Sequence, residues 1–476
     1  MSRPLPARPS LEHLRKEAKA LLRALAAGDS GAAARFGPRR GARAPRRLSE
    51  AQLVIAREYG FRTWAQLKHH VRSLASDDPM IALSAAVRLG DAVRVRDVLH
   101  RFPGLPARLD EAMPDGAFGA TALIAAAQQR NREMVDVLLD AGANPNQRTH
   151  WWAGSFGVLG DDAELNSHLI ARGVVVDAYE AARLGMLDRL RELLAADPTV
   201  VHARFGDGKT ALHVASTVEI AALLLDHGAD IDAQDVDHES TPAQYLIGDH
   251  PDVARYLVER GCRTDILLAA ALGDLDRVRA ALDRDPESVR TMVSPRWFPM
   301  RNPQAGGTIY IWTLGNGLSA HDVARASAHD DVYRLLVERS PVDLRLAVAC
   351  DAGDEAEVRR LLGGRGDASA LLTEDTRERL VSTASRGNVR AAHLMLACGW
   401  PADVRDAKGV TPLHWAAWHG QAALVRELLD RGADREATES YFGGTPLGWA
   451  EHGADGSPMR ADGDYVKTAS LLAANR

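Results

Sequence analysis

Between residues 79 and 476 the apolar positions recur in short helical rhythms rather than in the alternation expected of strands. In AALVRELLD, Val425, Leu428 and Leu429 fall on one face, with Arg426 and Glu427 turned away. MVDVLLD from Met134 and VARYLVE from Val253 repeat the pattern. Each such stretch follows an alanine-rich run and a break at Gly or Gly-Asp, as in ILLAAALGD from Ile266 and LSAAVRLGD from Leu83. The pattern predicts pairs of short helices, again and again along the chain. Neither helix of such a pair can bury its apolar face alone, so neighbouring pairs must stack to form a core.

The clearest unit is DAKGVTPLHWAAWHGQAALVRELLDRGADREA, from Asp406 to Ala437. It reads as a turn, a Thr-Pro-Leu-His box, a short helix, Gly420, a second helix and Arg431-Gly432-Ala433-Asp434. Related units start at Gly119, Gly208, Ser240 and Gly443. Units lacking the box start at Leu83, Tyr179, Ile266 and Leu344, and degenerate ones fill 152–177, 318–343 and 376–405. With its period near 33 residues, this resembles the ankyrin repeat. The resemblance implies an all-α ankyrin-repeat solenoid of about eleven or twelve helix-turn-helix units with short β-hairpin turns. It also implies that the box threonine caps the first helix, proline takes its first turn, and histidine bonds locally. His213 and His414 are then structural. Gly228 and Gly432 fall at helix ends, where the chain must turn left-handed.

Residues 1–75 differ from the array over 79–476. The stretches 10–27 and 49–75 read as amphipathic helices around GPRRGARAPRR, residues 37–47. The arrangement looks like the helical segment preceding ankyrin arrays in bacterial proteins, and covering the open end of a solenoid is its simplest role. Ile55-Ala56 with Gly60-Phe61 is also similar to a helix-turn-helix, but Gln66 occupies the later position where an apolar residue belongs. Nucleic acid is therefore not the expected partner.

Charge sharpens the division. Net charge is −6 over 476 residues, yet residues 1–75 hold 16 basic against 5 acidic side chains, and the rest hold 42 against 59. An acidic array favours basic partners. Lysine supplies few of the 58 basic residues, and this arginine bias with the alanine richness suggests a bacterial source. Cys262, Cys350 and Cys398 form no CxxC pair, which indicates neither a disulfide framework nor a zinc site and fits a reducing compartment. The first 25 residues carry charges where a signal peptide needs its apolar core, and no apolar run is long enough to span a bilayer. The expected location is cytoplasmic, without membrane contact.

The resemblance implies binding through turn tips and the exposed face of the first helix. On the unit from Asp406 this places Ala407, Lys408, Val410, Trp418 and His419 on the binding face. Trp418 is either an interface anchor or a packing residue against the neighbouring turn; Trp415, one position inward, belongs to the core. Two departures from the repeat add aromatic residues: His150-Trp151-Trp152, and an insertion over 294–317 that contains Trp297 and Trp312. Within the latter, Thr308 to Leu314 has strand-like composition, which predicts an extended hairpin finger. It either reaches into the groove and builds an aromatic pocket with 150–152, or covers neighbouring helices. A second insertion, 452–464, is polar and reads as a mobile loop.

Local catalytic chemistry is sparse. The GKT at Gly208 lacks the earlier glycine of a phosphate loop, since Ala203 stands there. His69 and His70 are adjacent and diverge on a helix, so they make a poor metal pair. No HExxH, GxSxG or Cys/His cluster occurs. The sequence thus predicts a non-enzymatic, monomeric scaffold that takes a protein partner in its groove, with no cofactor and no metal. The alternatives are a small-ligand or catalytic solenoid built on the aromatic stretches near 150–152 and 296–314, and a nucleic-acid-associated regulator acting through residues 1–75.

Overall fold

The computed structural model describes residues 5, 6, 10–36, 48–61, 63–74, 76–365, 367–440 and 443–473. The Gly/Pro/Arg stretch 37–47 lies outside the described residues, as do the side chains of His69 and His70. Two compact units divide the chain, Met1–Val176 and Asp177–Arg476.

In the first unit four helices, Leu11–Ala26, Ser30–Phe36, Leu48–Glu58 and Trp64–Leu74, close around Leu14, Leu21, Ile55 and Leu67. The 49–75 stretch is two helices because Thr63 and Gln66 cap the second one reciprocally: Thr63 Oγ1 accepts from the Gln66 N–H at 3.1 Å, and Gln66 Oε1 accepts from the Thr63 N–H at 3.3 Å. That accounts for the polar residue where a helix-turn-helix has an apolar one. Helix Trp64–Leu74 packs on Pro79–Arg88, the first helix of the array. Two helix pairs follow, Pro79–Arg88 with Ala92–Arg101 and Ala122–Gln128 with Arg132–Asp140. The degenerate stretch after residue 152 has only a second helix, Ala163–Ala171. Buried Asn166 ties the preceding loop to it through both polar atoms, bonding Gly160 N and O at 3.0 and 2.8 Å.

The second unit stacks further pairs, from Ala178–Arg183 with Leu187–Ala196 to Pro446–Gly456 with Tyr465–Ala473. First helices pack on first helices, as Glu374–Ser385, Pro412–Trp418 and Pro446–Gly456 do, and second helices on second helices. Leu380, Met395, Leu413, Val425 and Leu428 fill the seams. The box works as a two-sided clasp. Thr411 caps its helix with Pro412 in the first turn, and His414 Nδ1 accepts the Thr411 N–H at 3.2 Å. Its other nitrogen therefore carries the proton and donates to the Gly444 carbonyl of the next unit at 3.2 Å. His213 does the same between Thr210 N, at 3.1 Å, and Ser240 O, at 3.2 Å. Gly228 and Gly432, at φ of 89° and 88°, make the expected left-handed exits.

The expected hairpin turns are reduced in extent. Among the described residues no strand forms, and the turns hold isolated bridges at Trp151–Gly154, Phe205–Lys209 and Met292–Ser319. A repeat turn is too short to carry a ladder. The finger predicted over 294–317, with its strand-like stretch 308–314, also differs. Its base is bridged, with Val293 N–H bonded to Leu318 O at 2.8 Å and Gly317 N–H to Val293 O at 2.9 Å, but Ile311–Gly315 is a single wide helical turn. The insertion folds down onto the turn 235–240 and the helix Pro242–Asp249. Gly306 N–H bonds Asp237 O at 3.0 Å, Asn302 N–H bonds Glu239 at 2.9 Å, and Thr313 Oγ1 donates to Gln244 O at 3.2 Å. It covers neighbouring helices. The second insertion, 452–464, is not a loose loop either: it extends the helix Pro446–Gly456 and turns so that Asp464 N–H bonds Gly420 O at 2.9 Å.

Candidate binding surfaces

Three groups of side chains were singled out as binding residues, and the structure places them differently. In the first unit Thr149 N–H bonds Phe156 O at 2.9 Å, and Trp151 and Gly154 exchange bonds of 3.2 and 3.3 Å. This tight turn carries His150, exposed, and Trp152, 38% exposed, on its tip. Trp151 lies half-buried beneath them. Its edge meets Phe118 of the preceding repeat at 4.9 Å between ring centroids, and Trp152 at 5.4 Å. Phe118 itself is 53% exposed and holds φ of 55°, a left-handed conformation that bulky residues avoid. The neighbouring Gly119 admits no side chain, because a Cβ there would stand 2.8 Å from the His150 carbonyl oxygen. Phe118, Trp151, Trp152 and Phe156 thus form a contiguous aromatic cap over two successive turn tips. Phe118 was not among the predicted residues; the available signal was an aromatic directly before a repeat's turn glycine.

In the second unit the group around residue 410 separates into exposed and buried members. Ala407 and Lys408 are exposed on a turn tip, where the Lys408 carbonyl accepts the Ser440 N–H of the next tip at 2.9 Å. Val410, expected on the exposed face, is buried; its N–H turns back to Asp406 Oδ1 at 2.9 Å. His419, also expected on that face, is buried between Ser385 O, at 2.9 Å, and the Ser457 hydroxyl, at 3.0 Å, where burial holds its imidazole below the usual pKa. Trp418 is half-buried. The lengthened helix Pro446–Gly456 runs over it, Gly456 lies against its ring, and the Tyr465 hydroxyl donates to its carbonyl at 3.0 Å. Trp415, expected in the core, is only half-buried, and what remains accessible is a shared aromatic face, with Trp449 edge-on to Trp415 at 5.0 Å and to Trp418 at 6.1 Å.

The two insertion tryptophans are not equivalent. Trp312 is 60% exposed and tilts over the His238 ring at 4.7 Å. Trp297 is half-buried in the wall of a cleft beside the helix Glu374–Ser385. They belong to the second unit, whereas Trp151 and Trp152 belong to the first. The GKT lysine serves the fold: Lys209 pairs with Asp207 at 3.1 Å and lies over the Tyr245 ring at 5.2 Å. Among the described residues no three His, Cys, Asp or Glu side chains converge as a metal ion needs, and no helix is long and apolar enough to cross a membrane.

Stacked helix pairs, clasped by Thr-x-Leu-His boxes at 210–213 and 411–414 and carrying aromatic groups on their tips, define a helical repeat protein of the protein-binding class. The ankyrin-repeat model matches over 178–268 and 346–439, and a single ankyrin repeat over 118–150. The chain belongs to the ankyrin-repeat family. It is similar to human protein phosphatase 1 regulatory subunit 27, 31% identical over 118 residues, which are 24% of this chain and 77% of that protein. It is also similar to the palmitoyltransferase Hip14 of Drosophila melanogaster, 31% identical over 71 residues, 15% of this chain and 11% of that protein. Similarity to the E3 ubiquitin-protein ligase KEG of Arabidopsis thaliana is 22% over 283 residues, 50% of this chain and 17% of that protein. These relatives come from animals and a plant, so the bacterial source read from arginine usage rests on composition alone.

Proposed function

We propose that this chain is a non-catalytic scaffold that binds a protein partner through its turn tips, with the aromatic cap in the first unit as the main anchor. The observation carrying this reading is the exposure of Phe118 and Trp152 together, at 53% and 38%, on adjacent tips. Large aromatics that stay accessible on a rigid support are the residues from which binding hot spots are made. The exposed Ala407 and Lys408, and the Trp415–Trp449 face, extend the same reading along the second unit. The human relative is named a regulatory subunit of a protein phosphatase, which supports a regulatory binding role and makes protein phosphatase 1 the first partner to test. The acid excess beyond residue 75 favours a basic contact surface on the partner. All three cysteines are free and buried, in keeping with a reducing, cytoplasmic setting. We take the working form to be a monomer, with residues 1–75 closing one end of the array.

The test is affinity capture on the immobilised full-length chain, with protein phosphatase 1 and with cell lysate, at low and high salt. Wild type should retain a partner that Trp152→Ala and Phe118→Ala release, with retention weakening as salt rises. Equal retention by wild type and both variants would remove the aromatic cap from the interface.

A further inference from the structure

At the foot of the insertion, between Ser294–Trp297 and the helix Glu374–Ser385, lies a cleft of about 440 Å³ counted with its open mouth. About 30 Å³ of it admits the centre of a water molecule, so it suits a small group rather than a whole cofactor. Arg379 lines its floor. This side chain is 3% exposed, and Nε, Nη1 and Nη2 all lack a hydrogen-bond partner among the described residues. A guanidinium has five donors and no acceptor, and a buried cation is strongly disfavoured unless acceptors reach it.

The surrounding charges are already engaged. Arg290 pairs with Asp343 at 2.9 Å and with Glu287 at 3.1 Å. Arg296 pairs with Asp375 at 2.5 Å and more loosely with Glu378 at 3.7 Å, which offsets part of the acidic charge at the mouth. Behind the floor, Arg386 holds Asp351 at 2.9 Å and Arg325 holds Asp322 at 3.3 Å. These carboxylates take further bonds as well, Asp351 from the Thr383 hydroxyl at 2.8 Å and Asp322 from the Ser319 hydroxyl at 2.7 Å. Asp351 and Asp322 act on Arg379 through charge at a distance, without a bond. Arg379 is therefore, among the described residues, the cation in this group whose donors stay uncommitted, and it lines a cleft together with Met292, Trp297 and Leu344, with Ser294 and Ser382 beside them.

We propose that this cleft is a carboxylate-binding site, with Arg379 as the bidentate donor and the Ser294 and Ser382 hydroxyls as accessory ones. A carboxylate is planar, offers two oxygens at the spacing of the guanidinium fork, and is small enough for the room available. The apolar walls lower the local dielectric and strengthen the pairing. The carboxylate can be a free small acid or one carried by a bound protein, as a C-terminus or an Asp or Glu side chain. The site stands independently of the aromatic cap, which lies in the other unit.

The test follows the apparent thermal midpoint and the calorimetric heat of the full-length protein at constant ionic strength, with chloride replaced stepwise by probe. Formate and acetate represent free acids, N-acetyl-Gly-Gly and its amide a C-terminus, and N-acetyl-Glu-amide a side chain; inorganic phosphate is the competing oxyanion. Wild type should give a saturable rise with carboxylates, none with the Gly-Gly amide, and a weaker one with phosphate. Arg379→Met should weaken the carboxylate affinity by about tenfold or more, the loss expected for a charged hydrogen-bonding partner. Arg379→Lys should fall between. If an Arg379 variant does not fold, Ser294→Phe, which fills the cleft from the loop side, should abolish the response instead. A preference for N-acetyl-Gly-Gly or N-acetyl-Glu-amide over acetate would point to a partner-borne carboxylate, and the reverse to a free acid. Absence of a saturable carboxylate effect in wild type, or its persistence in Arg379→Met or Ser294→Phe, would show that only internal water serves Arg379 and would overturn the proposal.

Discussion

Tyr310 donates its hydroxyl to both oxygens of Asp265, at 2.9 and 3.1 Å, and so ties the insertion to the cap of a repeat helix 45 residues away. Asp265 also caps Ile266–Leu272 by accepting the N–H groups of Leu267 and Leu268, and it takes the Gln244 amide at 3.1 Å. Burial raises the pKa of both groups: that of the Asp265 carboxyl against the pull of these bonds, and that of the Tyr310 phenol with the Asp265 charge adding to the effect. Tyr310→Phe should cost about 1.5–3 kcal/mol, the range for a hydrogen bond to a charged group. Urea unfolding measures this, and limited proteolysis should show earlier cleavage within 294–317. A loss below about 0.5 kcal/mol would mean that the insertion is held by its other contacts alone.

Leu428 tests the stacking of successive pairs. Its side chain is fully buried in the seam with Leu396, Leu413 and Leu424. Leu428→Ala should destabilise by about 2–5 kcal/mol in denaturant titration, the combined transfer and cavity cost for such a site. A value below about 1 kcal/mol would show that the unit collapses around the deletion, contrary to a close-packed seam.

What was legible in the sequence was what is encoded locally. The Thr411-Pro412-His414 clasp, the faces of Val425 and Leu428, and the left-handed exit at Gly432 each depend on neighbours within a turn or two. Thr308 to Leu314 and His419 differ from expectation because their partners lie far along the chain. Thr308 to Leu314 has strand composition, but docking of Tyr310 on Asp265 and of Thr313 on Gln244 imposes a helical turn, and β-propensity yields to such context. His419 looked like a surface residue because its partners, Ser385 and Ser457, lie 34 and 38 residues away. Arg379 sits inside a degenerate unit that carries no box motif. Its signal was an arginine at helical spacing among Thr376, Leu380 and Thr383, all of which are buried.

Phe118 separates anchoring from strain. Its φ of 55° costs any residue with a Cβ about 1–2 kcal/mol, whereas glycine adopts the conformation freely. Phe118→Gly and Phe118→Ala both remove the ring from Trp151 and Phe156. The glycine variant should nevertheless be more stable than the alanine variant by about 1 kcal/mol in paired urea titrations, while both lose partner retention alike. An alanine variant as stable as the glycine one would contradict the left-handed backbone at this tip. Retained partner binding in both would show that Phe118 supports the cap without touching the partner.

His213 gives the array a measurable pH response. Burial pushes its imidazole from about 6.5 down to about 3, despite the opposing bond to Ser240. In the folded state the ring stays neutral across that interval, while in the unfolded chain it takes up a proton as pH falls below about 6.5. The unfolded state thus binds more protons between these limits. The stability contributed by neutral His213 is full above about 6.5 and is lost progressively as pH falls towards 3. The slope amounts to about 1.4 kcal/mol per pH unit per histidine. His321, buried and likewise lowered to about 3, adds a second such term. Comparing wild type with His213→Gln cancels the carboxylates common to both, including Asp235 and Asp265, whose raised values act in the opposite sense. The variant should be less stable at neutral pH, because the clasp from Thr210 to Ser240 is lost. Its stability should then decline between pH 6 and 5 less steeply than that of wild type, by about 1.4 kcal/mol per pH unit. Parallel profiles would mean that His213 is solvated enough to titrate in the folded protein, and that the clasp does not exclude water.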